Sequence, residues 1–208
     1  MKKLFPLLLL ACILVTGCGF AGETYQDYVT AMLNCTYHNE YDAYMKLTNA
    51  SISDAESLFT YEAENLSQRI RDTYGIKSDM ISEETQKAYI SLAEKILKNT
   101  KYNVRDVMLA ENTYTVVLVV SPIDFWQKSE KEVKTYYQGE FTEKYKNAPT
   151  RHEADKLEEE YAQKVLAILT RYAENLDYLE PVVYTFPIEH TTVSPKNWQE
   201  IDKLVLNL

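Results

Sequence analysis

The sequence predicts an α+β domain in which N-terminal helices pack on a small, mostly antiparallel sheet and an antiparallel helical pair is inserted before the last strand. Three observations lead there. Apolar residues recur every three or four positions from Thr24 to Leu97, and alternation takes over from Lys101 to Val120. Helical spacing then returns from Trp126 to Asp177, before a last short alternating run at Val182–Phe186. The chain has 208 residues, 46% hydrophobic and 25% charged, which suits one folded domain and excludes a disordered, collagenous or polytopic membrane protein. With 31 acidic against 22 basic side chains, net −9, it lacks the clustered cations that nucleic-acid binding requires.

The first segment reads as an address. Met1-Lys2-Lys3 is basic, and the apolar run Leu4–Val15 is too short for a stable membrane span of about 20 residues. It reads as a signal-peptide core. Val15-Thr16-Gly17-Cys18 follows, an aliphatic residue and two small ones before cysteine, and this resembles the lipobox of bacterial lipoproteins. The resemblance implies a diacylglyceryl group on the Cys18 sulfur and cleavage by signal peptidase II between Gly17 and Cys18. The organisation expected is a signal peptide at 1–17, a lipidated cysteine with a short tether at 18–23, and a single domain at 24–208. Removing residues 1–17 takes Lys2 and Lys3, leaving 191 residues with 20 basic against 31 acidic side chains, net −11. An anionic membrane repels such a surface, so attachment is expected to rest on acyl chains. Cys12 leaves with the signal peptide and Cys18 carries lipid, so Cys35 is the one free thiol expected in the mature chain, and its helical neighbours Val29 and Met32 mark it as a buried structural group.

Within the domain, Tyr25, Tyr28, Val29, Met32 and Cys35 form the stripe of a first helix, which His38-Asn39-Glu40 breaks before a short helical piece. Ser53 with Glu56 reads as a capping box that opens a helix carrying Ala55, Leu58, Phe59, Leu66 and Ile70, and Gly75 suits the left-handed residue that closes it. Ser82-Glu83-Glu84 starts another, with Tyr89, Leu92, Ala93, Ile96 and Leu97 inward. A strand from Lys101, a turn at Ala110-Glu111-Asn112 and the strand Thr113–Val120 make a hairpin. The second strand is apolar on both faces and so is expected at the sheet centre, covered fully on one face and partly on the other. Val133, Tyr137, Phe141 and Tyr145 keep four-residue spacing, and after Asn147-Ala148-Pro149 the run Leu157–Leu176 completes the helical pair. Pro187 marks the last strand as an edge or a bulge, and Ser194-Pro195 caps a terminal helix.

Chemical templates are sparse. His152-Glu153 begins a zinc-helix pattern, but Lys156 stands where the second histidine belongs, and His38, His152 and His190 read as separate surface residues, so no metal or cofactor is expected. Glycine is too scarce for a phosphate loop, no Gly-x-Ser-x-Gly elbow occurs, and no calcium loop is present. The acidic run Asp155, Glu158, Glu159 and Glu160 reads as a solvated helix face with Glu160–Lys164 support. Tyrosine is the anomaly, at 17 residues. Rigid aromatic side chains bind sugars and peptides, and Trp126, Tyr137, Tyr161 and Tyr184 are the candidate ligand-binding residues.

The N-terminal helices, the hairpin ending Ser121-Pro122-Ile123-Asp124-Phe125, and the closing strand before Asn197-Trp198-Gln199-Glu200-Ile201 together resemble lipoproteins of Gram-positive gut and environmental bacteria. Their domains belong to the cystatin-like or NTF2-like α+β group, which implies helices in the concavity of a curved sheet. No catalytic residue is carried over, and Cys18 alone matches a functional position. The expectation is a lipid-anchored module at the outer face of the cytoplasmic membrane, non-catalytic, taking an envelope protein, peptide or glycan, and no nucleic acid. The alternative is an envelope enzyme with a polar carboxylate and tyrosine pocket between sheet and helices.

Overall fold

Helix boundaries follow local chemistry closely. The structure, a computed structural model, describes residues 22–110, 113–148, 150–188 and 193–207; the signal peptide, Cys18, the turn residues Glu111 and Asn112, Pro149 and His190 lie outside the described residues. Helix α1 (Gly22–Leu33) buries Val29 and Leu33 and runs into a π-turn, Asn34–His38, which ends at Asn39 with φ 60°. A short α2 (Asp42–Thr48) ends the same way at Asn49, φ 57°. Asparagine tolerates this left-handed geometry better than other residues with a Cβ.

Helix α3 (Ile52–Thr73) is capped by Ser51, not by Ser53 as the capping-box pattern suggested. Ser51-x-x-Asp54 is the same motif two residues earlier: Ser51 Oγ accepts from the Asp54 amide at 3.2 Å and donates to its carboxylate at 2.7 Å. Gly75, φ +69°, closes α3 in a left-handed turn, with the Ile76 amide returning to the Arg71 carbonyl at 2.8 Å. Helix α4 (Glu83–Leu97) starts at Ser82 as its sequence indicates.

The sheet has three antiparallel strands in the order β1 (Lys101–Ala110), β2 (Thr113–Ser121), β3 (Val182–Ile188). The apolar β2 is central, and β3 with its Pro187 lies at an edge; β1 forms the other edge, with a bulge between Val104 and Asp106. Val116, Leu118 and Val120 are fully buried on one face, while Val117 and Val119 on the other are only half-buried. Helices cover the first face alone. There α1 lies along β1, and α8 (Pro195–Leu206) packs against β2 and β3.

Between β2 and β3 the chain builds the helical pair. Its first arm is α5 (Trp126–Tyr136), a π-turn (Tyr137–Phe141) and α6 (Thr142–Lys146); its second is α7 (Arg151–Tyr172). α7 packs on α4 and α5, and Tyr89 of α4 donates its hydroxyl to the Ala162 carbonyl at 2.7 Å. Buried side chains run without a break from α1 through the sheet to α7. The architecture is α+β, with α1 and α8 on the sheet and the α5–α7 module packed on α4.

Candidate functional site: an aromatic cleft and a buried acid pair

Where α5, α7 and the end of α3 meet, the surface opens into a cleft of about 500 Å³. Its aromatic floor follows from the spacing noted in the sequence. Steps of four residues overshoot a 3.6-residue turn by about 40°, and the wider π-turn at Tyr137–Phe141 absorbs this drift so that Val133 and Phe141 both face inward. α7 contributes Tyr161, whose ring centroid lies 4.6 Å from Phe141 and 5.6 Å from Tyr137 and is stacked parallel to Tyr136 at 6.2 Å. Tyr161 is buried and its hydroxyl donates to the Tyr74 carbonyl at 3.0 Å, the carbonyl that the Gly75 turn leaves outside the α3 ladder. Tyr137, by contrast, is 47% exposed. One ring is locked and its neighbour faces solvent.

Charges of both signs edge the rings: Lys77 and Lys134, with Glu130 and Glu158. Burial raises the Glu158 carboxyl above the usual carboxylate range, with Lys77 pulling the other way. Burial also pushes the Tyr161 phenol upward. Its proton is directed at the Tyr74 carbonyl. The cleft is suited to holding a flat, partly apolar group beside polar ones.

Of the four sequence candidates, the structure brings together Tyr137 and Tyr161. Trp126 begins α5, is buried, and donates Nε1–H to the Leu206 carbonyl at the end of α8. Tyr184 sits on β3, stacked on Phe186 at 5.6 Å, with its hydroxyl donating to Asn197 at 3.1 Å. Neither lines the cleft.

The acidic run of α7 is not a uniform solvated face. Glu158 turns into the cleft. Glu159 accepts from the Ser82 amide at 2.8 Å, the Ser82 hydroxyl at 2.9 Å and the Thr85 hydroxyl at 2.6 Å, which completes the start of α4. Glu160 pairs with Lys144 across the helical pair at 2.6 Å rather than with Lys164, whose amine lies 5.8 Å over the Tyr136 ring. His38 is likewise no isolated surface histidine: it stacks on Tyr102 at 5.0 Å, with Nε2 3.0 Å from the Thr100 carbonyl.

A second constellation went unread in the sequence. Glu62 of α3 is buried and Asp202 of α8 half-buried beside it, with Arg69 bonded to Glu62 at 3.1 Å and the Tyr37 hydroxyl donating to Asp202. Burial and the Asp202 charge push Glu62 up to about 8 against the pull of Arg69. Burial raises Asp202 as well, against the Tyr37 hydrogen bond and Arg69. One guanidinium faces two carboxyls, so burial and their mutual repulsion bias the pair toward holding a proton. Trp198 stacks on Tyr37 at 5.9 Å, and none of these residues lines the cleft. The available signal was the register of Glu62, three residues after Phe59 and four before Leu66, on the apolar stripe of α3. Among the described residues no group of three or more His, Cys, Asp or Glu is placed to hold a metal ion.

No protein-family model and no curated protein sequence matches the chain. Among solved structures, the fold is similar to that of a "putative lipoprotein (ycdA)" from Bacillus subtilis, with a TM-score of 0.55 and 14% identity, over 88% of this chain and 57% of that one. The chain thus spans little more than half the length of that protein, and the likeness is one of fold.

Proposed function

We propose that this chain is a lipid-anchored lipoprotein of the cell envelope whose domain binds a ligand in the aromatic cleft without chemical conversion. The observation that carries the binding role is the pairing of a locked ring, Tyr161, with the exposed ring of Tyr137 between lysines and glutamates. The anchor rests on Val15-Thr16-Gly17-Cys18 after a basic, apolar leader. The "putative lipoprotein" description of the Bacillus subtilis neighbour supports it, and no helix among the described residues is long and apolar enough to cross a membrane. Helices on one face of a small antiparallel sheet support the cystatin-like or NTF2-like reading of the domain.

Two measurements test the proposal. Mass spectrometry of the membrane fraction is expected to show a diacylglyceryl Cys18 at the mature N-terminus, and Cys18→Ala is expected to release the chain; retention of that variant after washing overturns the anchor. For the cleft, peptidoglycan fragments and envelope peptides titrated into the Cys18→Ala chain are expected to shift the ring resonances of Tyr137 and Tyr161. Binding unaffected by Tyr137→Ala overturns the site. A second reading, an envelope enzyme, is favoured by the raised Glu158 carboxyl at the cleft. Conversion of a bound fragment that is lost in Glu158→Gln would establish it.

A further inference from the structure

The charges around the aromatic cleft stand without partners. Elsewhere around the α5–α7 module acid meets base: Lys128 holds Asp124 and Asp177, Lys144 holds Glu140 and Glu160, and Arg171 holds Glu132. At the cleft, none of Lys77, Lys134, Glu130 and Glu158 forms an ion pair among the described residues. Glu130 and Lys134 lie one turn apart on α5, about 6 Å along its axis, and do not join. Burial holds the Glu158 carboxyl above its ordinary range, and Lys77 pulls it back from a distance without bonding to it. Two charges of each sign leave the cleft neutral as a whole, in a chain of net charge −9.

Size and lining narrow the occupant. A cleft of about 500 Å³ takes a ligand of a few hundred daltons, which in polypeptide is about three residues. Its rings form a corner: Tyr137 stands at 66° to Tyr161, 5.6 Å away, and is backed by Phe141 at 5.5 Å. A third ring entering beside the exposed Tyr137 continues the same edge-to-face arrangement. Neutral polar partners are scarce. No Asn or Gln lines the cleft among the described residues; the Thr73 and Tyr161 hydroxyls donate to the Arg69 and Tyr74 carbonyls at 2.8 and 3.0 Å, and that of Tyr74 is buried beside Ser129. Sugar hydroxyls therefore find little to bond, whereas a ligand with charges of its own offsets the desolvation of the lysines and glutamates.

Resting on the cleft-binding reading, we propose that the occupant is a short stretch of polypeptide in which an apolar, preferentially aromatic side chain enters the ring corner between one basic and one acidic residue. The basic side chain meets Glu130 or Glu158 and the acidic one Lys77 or Lys134, so the charges of ligand and cleft complement each other sign for sign. A cation that reaches Glu158 also relieves part of the burial cost which that carboxyl bears in the free cleft. Ion pairs at an exposed rim are worth a few-fold each, so the ring supplies most of the affinity and the charges supply the selection.

The test titrates N-acetylated, C-amidated tripeptides into the full-length Cys18→Ala chain and follows the ring resonances of Tyr137 and Tyr161. Lys-Phe-Glu is expected to shift both. Lys-Ala-Glu, without the ring, is expected to bind about tenfold more weakly, and Gln-Phe-Gln, without the charges, about fivefold more weakly. In Lys134→Glu, at an exposed helix position, Lys-Phe-Lys is expected to overtake Lys-Phe-Glu, a reversal that a merely structural role of Lys134 does not produce. Gln-Phe-Gln binding as tightly as Lys-Phe-Glu, or chitotriose shifting the rings where no peptide does, overturns the proposal and leaves the cleft reading intact. Rings that neither peptide nor sugar shifts, or binding that Tyr137→Ala leaves unchanged, overturn the cleft reading and the proposal with it.

Discussion

Replacing Glu62 with glutamine removes an ionisable group from beneath α8 while keeping an oxygen for Arg69 to donate to. In the folded chain the Glu62 carboxyl is pushed up to about 8 from an ordinary value of 4.5, so between those limits the folded state holds a proton that the unfolded state has released. The unfolded state binds fewer protons there, and stability must fall as pH rises. At about 1.4 kcal/mol per pH unit the full effect is on the order of 5 kcal/mol, of which about 3 to 4 kcal/mol falls between pH 5 and 8. Other shifted groups act mainly elsewhere. Glu132, held low by Arg171, and Glu159, held low by its bonds to Thr85 and Ser82 despite some burial, contribute stability above the ordinary carboxylate range that is lost as pH falls through their depressed values. Burial raises Tyr28 to about 12 and Cys35 to about 11, and their contribution is lost as pH rises through the alkaline range toward those values. Glu158 is raised in the same sense but lies apart in the cleft and is common to both chains, whereas Asp202 titrates together with Glu62, so the comparison with Glu62→Gln reads the share of the acid pair. Urea unfolding of the Cys18→Ala chain at pH 5, 7 and 8 is the assay. The wild-type midpoint is expected to drop with pH, and Glu62→Gln to unfold within about 1 kcal/mol of wild type at pH 5 but some 3 kcal/mol later at pH 8. A variant less stable than wild type by the same amount at every pH refutes the argument, since it would mean that Glu62 is ionised and satisfied by Arg69 throughout.

Three further outcomes are expected. Tyr161→Phe keeps the ring but orphans the buried Tyr74 carbonyl that its hydroxyl reaches at 3.0 Å, at a cost of about 1 to 2 kcal/mol in urea unfolding; an unchanged midpoint would show that the bond does not hold the ring. Glu159→Ala removes the acceptor for the Ser82 amide and hydroxyl and the Thr85 hydroxyl and is expected to cost about 1 to 2 kcal/mol, with amide exchange quickening first at the start of α4; exchange rising evenly along α4 would speak against capping from α7. Cys35, buried and donating to the Ala55 carbonyl at 3.4 Å, is expected to react with a maleimide in the Cys18→Ala chain only as fast as the chain opens, so that urea accelerates labelling; immediate stoichiometric labelling in buffer would place the thiol at the surface.

How far the sequence carried depends on whether a feature is local. Ser82, Ser194 and Gly75 perform the cap and turn roles their residue types indicate, because those roles are decided within four residues. The central place of β2 also follows from its own residues, since a strand apolar on both faces has nowhere else to go. Tyr137 and Tyr161 meet because the stripe through Val133 and Phe141 fixes one arm of the helical pair and Tyr161 lies on the inward side of the other. Trp126 and Tyr184 stand apart because each is claimed by α8, at Leu206 and Asn197, and nothing near either residue in the sequence announces where the terminal helix will pack.

The buried acids show the boundary most sharply. Glu62 was visible as a carboxylate on an apolar stripe, which alone means either a long side chain reaching water or a charge with a partner. Its neighbour Arg69 is seven residues along the same helix, whereas Asp202 and Tyr37 arrive from α8 and the first π-turn. Deciding between the two meanings therefore required the packing of three elements distant in sequence. That packing places the C-terminal helix over an acid pair that burial biases toward its protonated form, so the fold is expected to tighten toward acid pH through the contact of α8 with α3 and the first π-turn.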